Sequence, residues 1–342
     1  MSLSKVINHG EGEKHSLSKA LLKSFSLVTA TAIGCISIAS SATAANFYFA
    51  FGSEGTEDGE FGSPTGIAVD SGGNIYVADT FNDRVQVFKP GGLFWFAFGS
   101  VGAVNGQFND PYGIAVDSVG NIYVADTFND RVQVFKPGGL FWFAFGSQGS
   151  GNGQFNDPYG IAVDSGGNIY VTDSGNNRVQ VFNSTGVPQF AFGSSSPYGI
   201  AVGSGGNIYV ADTFNNRVQV FNSTGVLQST FGSFGTGNGE FNSPYGIAVD
   251  SSGNVYVTDT FNDRIQVFKP NGDFLSAFGS SGPGDGEFSF PYGIAVGSGG
   301  NIYVADMDNN RVQVFRTPEP SGIIGLGILG GGLVVRRLAK RG

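Results

Sequence analysis

Residues 111–147, PYGIAVDSVGNIYVADTFNDRVQVFKPGGLFWFAFGS, contain four short apolar blocks separated by three turns. The blocks are rich in Val, Ile, Tyr and Phe and are bounded by Gly, Asn and Asp. This composition is typical of β-strands, and no block reaches the length of a helix. Nearly every block position is apolar, which predicts strands buried on both faces. The stretch therefore predicts four consecutive antiparallel strands.

The same pattern occurs six times in the chain. Each unit begins at a proline, and the six positions are Pro64, Pro111, Pro158, Pro197, Pro244 and Pro291. The spacing is 47 residues except for one step of 39 residues between the third and fourth units. A period of this length indicates a repeat architecture, and four short antiparallel strands repeated radially describe a propeller. We therefore predict an all-β protein, a six-bladed β-propeller with four antiparallel strands per blade.

The ends of the repeat array predict how the ring closes. The sixth unit stops at Phe315 without a fourth strand, whereas residues 46–52, NFYFAFG, copy the fourth block of the first unit, FWFAFG at 94–99. We expect this N-terminal strand to complete blade six, because closure removes an open sheet edge. The predicted propeller domain therefore covers residues 46–317.

Composition and charge exclude several classes of function. The chain has 342 residues, a net charge of −9, one Cys and two His. Cys35, His9 and His15 all precede residue 46, so the repeats lack the side chains for a Ser-His-Asp or Cys-His nucleophile or a histidine zinc site. Residues 46–317 contain 24 acidic and 10 basic side chains. That balance argues against nucleic acid as a partner and leaves cations or basic partners open.

Residues 1–45 are predicted to be a signal peptide. Several lysines precede an apolar stretch from Leu27, and small residues up to Ala45 follow it, so we expect cleavage after Ala44 or Ala45. A buried N-terminal helix and a lipoprotein signal at Cys35 are the alternatives.

Residues 318–342 begin with Pro318, Glu319 and Pro320, continue with a short apolar run, and end in a basic cluster. The run is shorter than the ~20 residues of a permanent membrane span. The order of these three parts resembles the PEP-CTERM sorting signal. The resemblance implies an exosortase-type processing enzyme, transient membrane contact through the tail, and delivery to the cell surface or extracellular matrix of a Gram-negative-type bacterium. An ordinary C-terminal anchor is the alternative.

The repeat itself resembles the NHL repeat, a six-bladed propeller family. The motifs that carry the resemblance are Pro-x-Gly-Ile-Ala-Val, Gly-Asn-Ile-Tyr-Val-Ala-Asp and Asn-Arg-Val-Gln-Val-Phe. The resemblance implies the fold, whereas NHL propellers serve as binding platforms, sensor domains and a few enzymes. Amidating lyases of similar fold use histidine-bound metal, so their chemistry does not carry over. A carboxylate-bound Ca²⁺ site, as in gluconolactonase-like enzymes, stays an alternative.

An acidic residue and an arginine five positions later recur in every unit. The pairs are Asp79 and Arg84, Asp126 and Arg131, Asp173 and Arg178, Asp212 and Arg217, Asp259 and Arg264, and Asp306 and Arg311. We interpret them as structural pairs in which Asp caps the turn between the second and third strands. A ring of ion sites is the functional alternative.

Aromatic residues break this regularity on one end of the predicted propeller. Four units place Phe in the turn between their second and third strands, where Gly is usual: Phe81, Phe128, Phe214 and Phe261. Five units begin their first strand with Tyr after the repeat proline: Tyr112, Tyr159, Tyr198, Tyr245 and Tyr292, with Thr65 in the first unit. We predict that they form an exposed aromatic binding face. The alternative is that the Phe rings pack against the neighbouring loop.

The shortened step before the fourth unit predicts a notch in the rim at residues 193–197, which would give a lateral entrance. Taken together, the sequence predicts an exported, non-catalytic binding or scaffolding module without a cofactor or metal. Its expected partner is a protein or a neutral polysaccharide outside the cell. A Ca²⁺-dependent lactonase- or lyase-like enzyme and a self-associating surface protein are the alternatives.

Overall fold

The computed structural model describes residues 45–317, which form 24 strands in six four-stranded antiparallel sheets. The strands are β1 Asn46–Phe51, β2 Pro64–Val69, β3 Ile75–Asp79, β4 Arg84–Lys89, β5 Leu93–Phe98, β6 Pro111–Val116, β7 Ile122–Asp126, β8 Arg131–Lys136, β9 Leu140–Phe145, β10 Pro158–Val163, β11 Ile169–Asp173, β12 Arg178–Phe182, β13 Pro188–Gly193, β14 Pro197–Val202, β15 Ile208–Asp212, β16 Arg217–Phe221, β17 Leu227–Phe231, β18 Pro244–Val249, β19 Val255–Asp259, β20 Arg264–Phe268, β21 Phe274–Phe278, β22 Pro291–Val296, β23 Asn301–Asp306 and β24 Arg311–Arg316. The predicted signal peptide and sorting tail lie outside the described residues, apart from Ala45.

The six sheets are the blades of a closed propeller, and the prediction of the fold is confirmed. Blades one to five each take four consecutive strands, beginning with β2, β6, β10, β14 and β18. We name the strands of each blade a to d from the inside outward. The a strands of neighbouring blades contact each other all the way around, including β22 of blade six with β2 of blade one.

The N-terminal strand closes the ring as predicted. Blade six has the strand order β1-β24-β23-β22, so β1 is its outer strand. β1 pairs antiparallel with β24, and Phe47 lies opposite Phe315. Hydrogen bonds between the two ends of the repeat array therefore hold the ring together.

Burial differs sharply between the middle and the outer strands of a blade. All five residues of β7 are buried, and so are the last five residues of the b strand in each of the other blades. In the outer strand β5, however, exposed and half-buried residues alternate from Leu93 to Phe98. The expectation that all strands are buried on both faces was therefore wrong for the d strands. Blades diverge from the central axis, so the outer strands lack a neighbour on one face.

The core consists of six apolar clusters, and each cluster lies between two consecutive blades. In the cluster between blades one and two, Val85 and Val87 pack with Ile122 and Val124. Phe108, from the loop that links these blades, is fully buried in the same cluster. Each blade thus covers its neighbour, and no blade has a core of its own.

One glycine in each a strand permits the close approach of the blades at the axis. A Cβ at Gly113 would lie 2.1 Å from the carbonyl oxygen of Tyr159 in the next blade, far inside van der Waals contact. The other five a-strand glycines face the next a strand in the same way, at 2.0 to 2.2 Å: Gly66, Gly160, Gly199, Gly246 and Gly293.

The b–c turns and the d–a links lie at the same end of the propeller, which we call the turn face. In blades one to five the b–c turn is a short 3₁₀ segment, such as Thr80–Asn82. A left-handed residue follows each b–c turn, and it is always Asp or Asn: Asp83, Asp130, Asn177, Asn216, Asp263 and Asn310. Asp and Asn tolerate this conformation better than other non-glycine residues. Residues 45–317 contain no helix long enough to cross a membrane.

Candidate functional site

The a strands bring the five predicted tyrosines together at the turn face. Each ring contacts the next, and the five form a closed circle that we call the tyrosine ring. The centroid distances are 4.8 Å for Tyr112 and Tyr159, 4.5 Å for Tyr159 and Tyr198, 5.0 Å for Tyr198 and Tyr245, 4.6 Å for Tyr245 and Tyr292, and 5.9 Å for Tyr292 and Tyr112. The tyrosine ring surrounds the propeller axis because one a strand from each of five blades contributes to it.

The sixth place in the circle belongs to Thr65 of blade one. Thr65 is buried, and its hydroxyl lies 2.6 Å from the hydroxyl of Thr80. The hydroxyl of Thr80 in turn donates to the carbonyl oxygen of Pro111. The short Thr65 side chain leaves a gap that Tyr112 and Tyr292 only partly close, since theirs is the longest distance in the circle.

The tyrosine ring is uncharged at neutral pH. Burial raises the pKa of Tyr245 to about 12, and the neighbouring Tyr198 and Tyr112 add to the increase. Burial also raises the pKa of Tyr112, with a contribution from the nearby Asp110 carboxylate, and raises that of Tyr292 well above 10. The ring therefore presents aromatic surfaces and neutral hydroxyl groups, which donate and accept hydrogen bonds.

Two cavities lie on the propeller axis. The smaller has a volume of about 90 Å³ and is lined only by a-strand residues, three from each blade. The second, of about 190 Å³, opens at the turn face, and we call it the mouth cavity. It is lined by the tyrosine ring together with Ser63, Thr65, Phe81, Phe290 and Met307.

The four turn phenylalanines lie on the turn face with 47 to 64% of their surface exposed. Phe81 lines the mouth cavity. Phe214 contacts Tyr198 at 5.7 Å, and Phe261 contacts Phe290 at 4.6 Å. Phe261 packs on a residue of the d–a link, as in the alternative, and still remains about half exposed. Val101, Val104 and Phe234 in the d–a links of the same end are also exposed.

All six predicted Asp–Arg pairs are present as ion pairs, with Nε to Oδ2 distances of 2.6 to 2.7 Å. In blade one the fully buried Asp79 also accepts hydrogen bonds from the Gly62 N–H, the Asn82 amide and the Gln86 amide. Arg84 donates to the carbonyl oxygens of residues 57 and 60. These contacts hold the d–a link against strands b and c.

The carboxylates of these pairs do not cap the turn as expected. Asp79 makes no side-chain hydrogen bond to a backbone N–H of the 3₁₀ segment that follows it. Its backbone donor is Gly62, which lies in the preceding link. The buried carboxylate instead needs several donors at once, and the link supplies one of them.

Blade four shows what the missing link residues contribute. Arg217 retains Asp212, but its side chain is 37% exposed, against 13 to 18% for the other five arginines. Ser194 in the short link hydrogen-bonds Gln219 at 2.8 Å. The predicted notch therefore uncovers Arg217. No residue of the 193–196 segment lines either cavity, so the proposed lateral entrance does not reach them.

Sequence analysis did not single out Phe290 and Met307. Phe290 occupies the position before the repeat proline, where the other units have Ser or Asp, and it has a φ of +57°. Met307 replaces the hydroxyl residue that begins the b–c turn in the other blades. The available signal was the departure of the sixth unit from its own repeat, at two positions that the fold brings to one cavity.

Six segments of the chain match the family model described as the NHL repeat: residues 61–88, 108–135, 155–182, 195–221, 241–268 and 288–315. Each match runs from the d–a link to the end of strand c. The chain carries six NHL repeats. This finding confirms the resemblance drawn from the motifs. We call the six-bladed ring formed by residues 45–317 the NHL propeller.

Curated relatives match the NHL propeller over short segments. The E3 ubiquitin-protein ligase TRIM71 of Bos taurus is 57% identical over 42 residues, which cover 12% of this chain and 5% of that protein. Protein wech of Drosophila melanogaster is 40% identical over 59 residues, covering 17% of this chain and 7% of that protein. The chain thus spans a small fraction of the length of these relatives.

Solved structures resemble it over most of the chain. A streptogramin B lyase has a TM-score of 0.58 and 16% identity, covering 79% of this chain and 98% of its own. A gluconolactonase from Xanthomonas campestris has a TM-score of 0.58 and 14% identity, covering 81% and 98%. These similarities show the propeller fold. Within residues 45–317 no group of three or more Asp or Glu side chains lies together as candidate ligands for one metal ion.

Proposed function

We propose that this NHL propeller is an exported, non-catalytic binding module whose turn face contacts a partner outside the cell. The observation that carries the proposal is the aromatic character of that face, where four Phe side chains are exposed and two of them, Phe81 and Phe214, adjoin the tyrosine ring. Contiguous exposed apolar surface with a polar rim is typical of interaction sites, and aromatic residues contribute most to binding there.

A second exposed aromatic region argues for the turn face by contrast. Trp95 and Trp142 lie on the outer strands and are 46 to 48% exposed. The ammonium group of Lys89 lies 2.8 Å from the centroid of Trp95, and that of Lys136 lies 3.0 Å from Trp142. These cation–π contacts cover the Trp rings within the chain itself. Within residues 45–317 no Lys or Arg makes such a cation–π contact with a turn phenylalanine, which favours partner binding at the turn face over self-association through the outer strands.

The experiment compares retention of two variants on the surface of the producing cells. The first replaces Phe81, Phe128, Phe214 and Phe261 by Gly, the residue that blade three has at Gly175. We expect this variant to stay folded and to lose retention by tenfold or more. The matched control replaces Trp95 and Trp142 by Gln, removes a similar exposed aromatic surface, and should be retained like the unchanged protein. A folded four-Phe variant that is fully retained would contradict the proposal.

Export and sorting are a separate part of the proposal. The supporting observations are the apolar and small-residue segment before Asn46 and the order of Pro-Glu-Pro, apolar run and basic cluster after residue 317. Mass spectrometry of the extracellular form should find an N-terminus at Ala45 or Asn46 and a C-terminus near Pro320. A protein that ends at Gly342 would refute the sorting signal, whatever the binding experiment shows.

A further inference from the structure

The mouth cavity lies where the repeat is broken, at the junction of blades six and one. In the five other junctions a hydroxyl at the start of the b–c turn donates to the carbonyl oxygen of the next repeat proline, as Thr127 does to Pro158. Met307 has no hydroxyl to repeat this bond. Thr65, Phe290 and Met307 are all departures from the repeat, and all three line the cavity. The cavity is therefore a specific site and not a sixfold property of the ring.

Aromatic surfaces surround this cavity on most sides. The tyrosine ring forms its floor, and Phe81 and Phe290 stand beside it in blades one and six. A cavity of about 190 Å³ with aromatic walls suits one side chain of a partner and is too small for a folded element. Aromatic walls attract cations through the negative faces of their rings.

The charge of the turn face also selects a cation. Its b–c turns and d–a links carry thirteen acidic residues and no Lys or Arg. The six arginines that begin the c strands are paired with buried aspartates. The opposite end of the propeller is nearly balanced, with five Asp against Lys89, Lys136, Lys269 and Arg316. The net negative charge of the described residues is thus concentrated at one end.

None of these carboxylates lines the mouth cavity, but three of them adjoin residues that do. Asp263 accepts a hydrogen bond from the backbone N–H of Phe290 at 3.0 Å. Asp308 follows Met307 in the chain, and Asp110 lies close enough to raise the pKa of Tyr112. Burial, together with like-charged neighbours, raises the pKa of Asp110 and Asp308. The neighbour of like charge is Asp83 for Asp110, and Asp306 and Asp263 for Asp308. A cation close to Asp263 and Asp308 would therefore relieve the repulsion between those two carboxylates.

We propose that the mouth cavity binds a single arginine side chain presented by a basic partner protein. The inference rests on the proposed function and gives that partner its chemistry. A guanidinium group is planar, so it stacks on the Tyr and Phe rings, and its fixed N–H groups can donate to phenol and carboxylate oxygens. The surrounding acidic residues would attract the other basic residues of the partner and speed its association.

The test measures binding of a nonapeptide of arginine by calorimetry at low salt. A nonapeptide of citrulline, which keeps the shape and loses the charge, is the ligand control, and it should bind at least tenfold more weakly. The key variant is Thr65→Tyr, which supplies the residue found in the other five blades and leaves the net charge unchanged. We expect it to fill the gap and to weaken arginine binding tenfold or more. Equal binding by Thr65→Tyr, or equal binding of citrulline, would overturn the inference.

Two further variants keep the test decisive if Thr65→Tyr does not fold. Phe290→Ser removes one wall with the residue type found at Ser63 and Ser243, which have nearly the same φ. Asp263→Asn uses the residue type found at Asn216 and Asn310. Each should weaken arginine binding at least threefold, whereas Asp273→Asn at the opposite end removes the same charge and should change it less than twofold. Equal losses from Asp263→Asn and Asp273→Asn would show diffuse attraction and overturn the inference.

The retention experiment separates this inference from the proposed function. If the four-Phe variant loses retention while Thr65→Tyr binds arginine like the unchanged protein, the turn face binds a partner and the arginine site is wrong. If Thr65→Tyr loses arginine binding while the four-Phe variant is fully retained on cells, the arginine site stands and the proposed function fails.

Discussion

Single glycines determine how closely the blades approach at the axis. Gly113 in the a strand of blade two faces the carbonyl oxygen of Tyr159, and no side chain fits between them. The motif Pro-Tyr-Gly-Ile therefore combines two roles, because Tyr builds the ring and Gly admits the neighbouring strand. Sequence analysis recognised the motif and assigned a role only to the Tyr.

We expect Gly113→Ala to destabilise the propeller by about 3 kcal/mol, the upper range for overpacking, because the new Cβ would meet backbone atoms that cannot rotate away. Gly193→Ala is the matched control, since a Cβ there meets no atom within 4 Å. It should change the free energy of unfolding by less than about 0.5 kcal/mol. Urea unfolding of both variants provides the measurement, and equal stabilities would contradict the predicted close approach.

The tyrosine ring predicts a loss of stability in alkali. The folded-state pKa of Tyr245 and its neighbours is raised above the ordinary value of 10, so the unfolded state releases these protons first. The resulting stabilisation is complete below pH 10 and is lost as the pH rises through the folded-state values. We expect the melting temperature to fall between pH 10 and pH 12, and Tyr245→Phe to reduce that fall. A phenol titration at 295 nm that ends near pH 10 in the folded protein would refute the shifts.

At the scale of strands, the order of the elements follows directly from the repeat, and the surroundings of the outer strands do not. The b and c blocks are buried on both faces as their composition indicates. The d blocks of blades one and two are equally apolar, yet Leu93, Trp95 and Leu140 are exposed, because blade divergence is a property of the closed ring. Likewise, the Tyr position can be predicted from a single repeat unit. Predicting the mouth cavity requires knowing that residues of the last and first units meet in the closed ring.

The closing strand β1 should contribute more to stability than an edge strand usually does. Phe51 lies 4.7 Å from Phe88 in the cluster between blades six and one, and Phe47 lies 5.9 Å from Phe315 in the cluster between blades five and six. Deleting residues 46–52 should lower the free energy of unfolding by about 4 kcal/mol. The deletion removes three half-buried Phe rings, and the burial of each stabilises the fold by about 1.5 kcal/mol or slightly less. It should also expose strand β24 to aggregation.

Point variants separate this packing from a general effect of truncation. Phe51→Ala should lower the free energy of unfolding by about 2 kcal/mol. Tyr48→Ala, on the exposed face of β1 beneath the Arg316 guanidinium, should cost less than about 1 kcal/mol. Unfolding of the truncated protein with unchanged midpoint and solubility would show that β1 does not close the ring.

At the scale of the whole molecule, the six shared clusters make the blades interdependent. In an open repeat array, each unit contacts only its neighbours and the terminal units can unfold alone. Here blade six contacts blade one through Val312, Val314, Ile75 and Val77, so no terminal unit exists. A local loss of packing must therefore be shared around the ring.

The two tryptophans make this cooperativity measurable. Trp95 and Trp142 report only on blades one and two, whereas far-UV circular dichroism reports on all 24 strands. Phe241→Ala removes a fully buried ring between blades four and five, away from both tryptophans, and should cost about 3–5 kcal/mol. We expect both signals to shift to the same lower denaturant concentration and to remain coincident, as in a two-state transition. A tryptophan transition that keeps its original midpoint while circular dichroism separates into two steps would show that the blades unfold independently and that closure does not couple them.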